Sequence, residues 1–456
     1  MTHDSILDLI GDTPVIRLKT FDTGVCELYV KLENLNPGGS IKDRMAFSMI
    51  QAAEKEGKLK TGDTIIEATA GNTGIALAMV GSQRDYKVQL VVPDKMSQEK
   101  IQMLQALGAT VTMTRSDVEK GHPEYYQDLA ESIAADTPNS FYINQFNNPA
   151  NLDAHYRNTA PEIWKQMDGK VDAIVCGVGS GGTISGLSKY FQEVAPNVEI
   201  VLADPEGSIL VDYIEKGEFG SAGSWLIEGI GEDFIPELAD LSKVKKAYTI
   251  SDEESLKTAR EALSREGIFA GSSSGTLIAA AMRYCQEQTT PKKVLTFICD
   301  RGSNYLSKMY NDYWMQEQGY LEKAKTDDLR DIISRHYNEN EVVIAKPDDT
   351  LATVHSRMKL YSFSQLPVME AKEVLGIISE EDILLASYKD INAFTQPAKN
   401  FMSTKLETLS PSASIDAVMD LVKKNFTPII KDKNGFYGLI TQYDLLNFLR
   451  LKAKNK

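Results

Sequence analysis

Apolar positions along the first two thirds of the chain follow two periods. Short consecutive apolar runs at 15–18, 27–32, 64–69, 88–92, 110–113, 171–176, 198–203 and 294–299 predict strands. Between them, apolar residues recur three and four positions apart. This spacing predicts helices at 98–107, 256–265 and 277–286, and another carrying Met45, Ala46, Met49, Ile50 and Ala53 on one face and closed by Gly57. Such alternation over residues 5–315 implies an α/β unit with a largely parallel sheet covered on both faces. Ligands of such sheets sit at the carboxyl ends of the strands, so the informative loops are those that follow strands.

The pattern changes after about residue 320. Residues 321–340 are charged and read as a linker with one helix. A strand–helix–strand–strand–helix plan then occurs twice, with a period of roughly 60–70 residues, which marks an internal repeat. The expected division is 1–320, the linker 321–340, a first repeat 341–392 and a second 393–456.

Composition narrows the function. The 456 residues are 42% hydrophobic and 25% charged, ordinary for a globular chain. A net charge of −15 argues against nucleic acid or an anionic membrane as partner, since both are polyanions. No apolar run approaches a membrane span, and the polar start Met1-Thr2-His3-Asp4-Ser5 is no secretory signal. Cys26, Cys176, Cys285 and Cys299 are widely spaced and form no metal-ligand cluster. Cys176 and Cys299 fall in apolar runs. Buried free thiols in a reducing cytoplasm are therefore expected.

Four loops carry candidate chemistry. In Asn36-Pro37-Gly38-Gly39-Ser40-Ile41-Lys42-Asp43-Arg44, Ser40 is a natural helix cap and Lys42 falls in the first helical turn. There the positive end of the helix dipole disfavours an ammonium charge, which suits an amine that condenses with an aldehyde cofactor and later acts as a base. A solvated lysine at a helix start would look the same. Glu67-Ala68-Thr69-Ala70-Gly71-Asn72-Thr73-Gly74 meets a helix N-terminus and offers an anion site, or is an ordinary strand-to-helix turn. Gly177-Val178-Gly179-Ser180-Gly181-Gly182-Thr183 follows an apolar strand and reads as a phosphate loop. It also satisfies GxGxxG, with Asp204 beyond the next strand, so spacing alone leaves an NAD-dependent oxidoreductase open. In Ala270-Gly271-Ser272-Ser273-Ser274-Gly275-Thr276 a serine could meet a ring nitrogen or cap a helix.

Taken in order, these four loops resemble those of the fold-type II pyridoxal-phosphate enzymes, whose core is tryptophan-synthase-β-like. Asp204–Leu210 (DPEGSIL) and Glu228–Pro236 (EGIGEDFIP) resemble the cystathionine β-synthase branch, and the resemblance spans residues 5–315. It implies that Lys42 binds the cofactor aldehyde, Asn72 its ring hydroxyl, and Gly179, Ser180, Gly181, Gly182 and Thr183 its phosphate. Ser273 would face the pyridine nitrogen. Thr69, Ala70, Asn72, Thr73 and Gln145 would surround the substrate carboxylate. The implied reaction condenses L-serine with L-homocysteine to cystathionine. A serine hydroxyl at the ring nitrogen makes the ring a weaker electron sink than a carboxylate would, which favours elimination.

The sequence departs from the branch at three positions: Ala70 where many relatives have serine, and Phe146 and Glu232 where animal synthases have tyrosine. Glu232 is expected to recognise the homocysteine ammonium. Ala70 leans towards the alternative of a cysteine synthase or an O-acetylserine-dependent enzyme.

The two C-terminal repeats resemble tandem CBS domains, a Bateman module that binds adenosyl ligands. Gly438-Leu439-Ile440-Thr441-Gln442-Tyr443-Asp444 matches the ribose pattern, with Thr441 and Asp444 as hydroxyl partners; Phe363 could pack on an adenine. S-adenosylmethionine or another adenosyl ligand is implied, although a module used only for dimerisation, or a non-catalytic nucleotide sensor, would keep the same repeats. Haem-binding relatives carry an extension with Cys and His ahead of the core. Here the core starts by about residue 5, so no haem is expected. A homodimer or tetramer is expected from the way both modules pair in similar enzymes.

Overall fold

The computed structural model describes residues 2–69, 71–94, 96–322, 326–337 and 342–454. They divide into two compact units, Met1–Asn311 and Asp312–Lys456.

The first unit contains two sheets. Six strands run in the order Val15–Arg17, Glu27–Lys31, Lys293–Phe297, Ala173–Cys176, Glu199–Pro205, Val244–Ile250. All neighbours are parallel except Val15–Arg17, which is antiparallel to Glu27–Lys31. Four parallel strands form the other sheet: Thr110–Thr114, Lys87–Pro93, Thr64–Ala68, Ser140–Tyr142. Every residue of Ala173–Cys176 is buried, as expected for a strand covered on both faces. The helix Lys42–Lys55 buries Met45, Ala46, Met49, Ile50 and Ala53, the face read from the sequence. Gly57 follows it with φ +72°, a conformation glycine adopts at little cost.

Two strands escaped the periodicity. Val244–Ile250 carries two adjacent lysines, and Ser140–Tyr142 is only three residues long. The strand expected at 294–299 ends its ladder at Phe297. Beyond it, Asp300-Arg301-Gly302 turns away from the apolar sheet, and Ser40 pairs with Asp300 in an isolated bridge. Helices expected near Ile75 and Leu277 begin earlier, at Asn72 and Ser272. This places Asn72, Thr73 and the three serines in first helical turns, where backbone N–H groups lack helical partners.

The second unit repeats one plan. Gln365–Glu370 and Glu373–Ser379 pair antiparallel, flanked by the helices Leu351–Tyr361 and Glu380–Lys389. Thr408–Leu409, Ile429–Asp432 and Gly435–Leu439 form the second sheet, with the helices Ile415–Val422 and Gln442–Lys454. Part of the expected linker is structural: Leu329, Ile332 and Ile333 are buried in one core with Val418, Ile430, Ile440 and Leu445. Among the described residues no helix is long and apolar enough to cross a membrane.

Candidate active site

A cleft of about 560 Å³, its open mouth included, lies at the carboxyl ends of the central strands. Lys42, Asn72, Gly179, Ser180, Gly181, Thr183 and Ser273 line it, so residues from all four loops meet in one place. The segment after Phe297 joins two of these loops. Ile41 N–H donates to the Cys299 carbonyl at 2.9 Å and Arg301 N–H to the Gly39 carbonyl at 3.2 Å, while Gly271 N–H donates to the Asp300 carbonyl at 3.0 Å.

Lys42 is the first residue of its helix, and its N–H donates to Ser40 Oγ at 3.2 Å. Its amine lies below the usual lysine pKa chiefly because it is desolvated; the nearby Cys299, Asp300 and Glu232 oppose the shift. Burial, which the sequence did not show, is the leading cause. The Cys299 thiol is pushed up to about 12 by burial and by Asp300, so it is a neutral group in the cleft wall.

The phosphate-type loop ends at the N-terminus of the helix Gly182–Val194. Gly181 has φ +86°, and a Cβ there would stand 2.7 Å from Ala239. A Cβ on Gly179 would stand 2.6 Å from the Gly229 carbonyl, and one on Gly182 2.1 Å from Asn151 Oδ1. Close backbone approach therefore requires glycine at these positions. Asn151 donates to Ser180 Oγ at 2.8 Å, and the Thr183 hydroxyl contacts His155 Nε2 at 3.2 Å. Burial lowers the His155 pKa to about 3, with Arg44 and Lys42 adding to the shift, so the ring is neutral.

Asn72 donates to Asp300 Oδ2 at 2.7 Å, and the Tyr305 hydroxyl donates to the same oxygen at 2.6 Å. Lys100 Nζ donates to Tyr305 Oη at 3.0 Å and pairs with Glu228 at 2.7 Å; Lys308 holds the other Glu228 oxygen at 2.7 Å. This network was missed from the sequence. One signal was available: Asp300 and Tyr305 follow a strand, as the other site loops do.

Thr69, Thr73 and Gln145 form a buried cluster. Thr73 Oγ1 donates to Gln145 Oε1 at 2.8 Å, Gln145 Nε2 donates to Glu67 Oε1 at 3.2 Å and to the Ala68 carbonyl at 3.1 Å, and Thr69 Oγ1 accepts from Gly71 N–H at 3.2 Å. Ala70 lies outside the described residues. Glu232 stands beside the phosphate-type loop, its Oε1 4.0 Å from where a Gly179 Cβ would sit. Among the described residues no group of three or more His, Cys, Asp or Glu could hold a metal ion.

In the second unit Thr441 N–H and Oγ1 both bond Asp444 Oδ2 at 2.6 Å, and Asp444 N–H returns to Thr441 Oγ1 at 3.2 Å. Ser379 and Asp382 make the same reciprocal cap in the first repeat.

The pyridoxal-phosphate dependent enzyme family matches residues 6–300, and the CBS domain family matches 329–389 and 398–451. The cystathionine beta-synthase of Apis mellifera is 36% identical over 97% of this chain and 90% of its own length. That of Dictyostelium discoideum is 35% identical over 99% and 93%. The chain belongs to the cystathionine beta-synthase family. Among solved structures, the O-acetylserine dependent cystathionine beta-synthase of Helicobacter pylori superposes with a TM-score of 0.63 at 39% identity, covering 68% of this chain and 98% of that one. Family membership makes this a pyridoxal-phosphate enzyme with a fold-type II core and two CBS domains. The cleft fits that cofactor: glycines leave room where a Cβ would collide, a helix N-terminus suited to a phosphate opens onto it, and a desolvated amine lines the same space.

Proposed function

We propose that this chain replaces the β-hydroxyl of L-serine with the thiol of L-homocysteine, giving cystathionine and water. The observation that carries the reading is the convergence of Lys42, Asn72, the glycine loop and Ser273 on one cleft, in a chain that matches cystathionine beta-synthases end to end. Lys42 would hold the cofactor's aldehyde carbon, Asn72 its ring hydroxyl, Gly179–Thr183 its phosphate and Ser273 its ring nitrogen. Bound there, pyridoxal phosphate supplies an electron sink for the substrate's α-carbon.

The remaining work falls to the chain. Lys42 Nζ, its pKa lowered by desolvation, takes the α-proton of serine and later returns a proton to that carbon. Thr69, Thr73 and Gln145 hold the substrate carboxylate, Thr73 by turning the hydroxyl it now gives to Gln145 and Gln145 by turning the amide it now gives to Glu67 and the Ala68 carbonyl. Glu232 receives the homocysteine ammonium. Thr441 and Asp444 hold ribose hydroxyls, and Phe363 an adenine ring, of an adenosyl regulator. Four unpaired cysteines support a reducing, cytoplasmic setting, and a homodimer or tetramer is the assembly this reading carries.

A second reading, use of O-acetylserine, is favoured by the likeness to the Helicobacter pylori enzyme. Steady-state assays with homocysteine, comparing L-serine and O-acetyl-L-serine and quantifying cystathionine by mass, separate the two. Turnover of free serine with comparable or higher kcat/KM is expected. Turnover of the acetylated substrate alone moves the chain to the activated-serine branch.

A further inference from the structure

The charged segment before the first CBS repeat does more than connect. Its Ser334 hydroxyl donates to Asp444 Oδ1, the carboxylate of the ribose-type motif. The next residue, Arg335, places its guanidinium 4.6 Å from the centroid of the Phe363 ring and 4.5 Å from that of Tyr313. Consecutive residues therefore touch the two groups, one from each repeat, that an adenosyl ligand would use for its sugar and its base. The segment's backbone is held as well. A Cβ on Gly438 would stand 2.6 Å from Ile333 Cγ2 and 3.0 Å from the Arg335 carbonyl, so this dipeptide lies directly against the strand leading into Thr441.

Ile332 and Ile333 explain why the dipeptide stays in place. Both are buried in the core of the second repeat, which leaves Ser334 and Arg335 as the first residues to emerge from it. A planar guanidinium stacks on aromatic faces as a base does. An adenine and Arg335 thus compete for one face of Phe363.

We propose that Arg335 is a built-in occupant of the adenosyl cleft, which a ligand must displace from Phe363 before its base can bind. The proposal rests on reading Thr441, Asp444 and Phe363 as an adenosyl site. Displacement pulls on backbone held by the buried Ile333 and on the contact between Arg335 and the Tyr313 ring, so ligand entry is coupled to residues 333–335 and to Tyr313. A ligand that must first vacate its own site binds with an apparent affinity reduced by the vacated fraction.

The test is calorimetric titration of the full-length holoenzyme with S-adenosylmethionine and, separately, with adenosine 5′-monophosphate, using wild type, Arg335→Ala and Arg335→Lys. Arg335→Ala is expected to bind at least one probe about tenfold more tightly than wild type, with Arg335→Lys between them. Hydrogen exchange on the wild type gives a second measurement that needs no variant to fold. Saturating probe should raise exchange across 333–337, whereas a ligand resting on an undisturbed segment would lower it. Equal or weaker binding by Arg335→Ala, or protection of 333–337, overturns the displacement while leaving the adenosyl site standing. Absence of binding by both wild type and Arg335→Ala overturns the site and the displacement together.

Discussion

Asn72 donates one amide hydrogen to Asp300 Oδ2 at 2.7 Å, which fixes the plane of the Asn72 side chain in the cleft wall. Tyr305 steadies the same oxygen from a helical turn five residues further on. Asp300→Ala should let Asn72 rotate and weaken pyridoxal-phosphate binding about tenfold, the worth of one lost hydrogen bond to a charged group. Absorbance titration of the apoprotein reads the change. Asp300→Asn keeps an acceptor and should fall between the two. Unchanged affinity in Asp300→Ala would remove Asn72 positioning as the role of Asp300.

Glu67 gives a pH dependence whose sign can be worked out. It is buried, and desolvation raises its pKa from 4.5 to about 8. Between these values the unfolded chain releases the proton while the folded chain retains it. The Glu67 contribution to stability is therefore fully present below about 4.5 and is lost as pH rises towards 8. Glu67→Gln keeps an uncharged side chain beside Gln145 and cannot titrate. Thermal unfolding scans from pH 5 to pH 8 should show a falling Tm component in wild type that is absent from Glu67→Gln. Parallel profiles would mean that Glu67 is ionised when folded.

The loop that presents Lys42 is pinned at both ends by one ion cluster. Arg44 Nε and Nη2 bond Glu33 at 2.7 and 2.8 Å, and its two Nη atoms reach Glu162 at 2.7 Å each. Glu33 is fully buried, and Arg44 holds its carboxylate down at about 2 against the cost of burial. Arg44→Met strands that carboxylate and should cost about 3–5 kcal/mol in urea unfolding. Adding Glu33→Gln should recover part of the loss. Because the Glu33 pKa is depressed, its contribution is present above 4.5 and disappears as pH falls towards 2, so Arg44→Met should be hurt least in acid.

The site was legible where chemistry depends on local spacing. Lys42, Gly179 and Ser273 each sit in a loop whose glycines and hydroxyls announce a strand-to-helix turn, and the alternation of periods places those turns on one edge. What supports them was not legible. Lys100, Glu228 and Tyr305 are far apart in the chain, and only the tertiary fold converts them from a surface-type lysine, a rim glutamate and a core tyrosine into one network. His155 belongs to a short π-helical turn that periodicity does not register, and its neutrality follows chiefly from burial, with Arg44 and Lys42 adding to it. The stretch around Arg335 reads as a linker with one helix because charge dominates its composition. Leu329, Ile332 and Ile333 inside it are too few to show a period, yet they complete a core.

Glu232 carries the remaining question of substrate recognition. Gly231 N–H donates to the Val178 carbonyl at 2.8 Å, and the Glu232 carbonyl accepts from Ile209 N–H at 3.1 Å, so the backbone around Glu232 is tied to the glycine loop and to the turn before Leu210. Its carboxylate opposes the lowering of the Lys42 pKa and adds to the burial that raises that of Tyr126, which places its charge within reach of the cleft. A carboxylate held there should attract the ammonium of the second substrate and contribute equally to ground and transition states. Glu232→Gln should then raise the KM for homocysteine about fivefold to tenfold and leave kcat and the KM for serine within about twofold. A fall in kcat with KM constant would instead assign Glu232 to the proton chemistry of Lys42. If both constants stay put, recognition of the homocysteine ammonium by this residue is refuted.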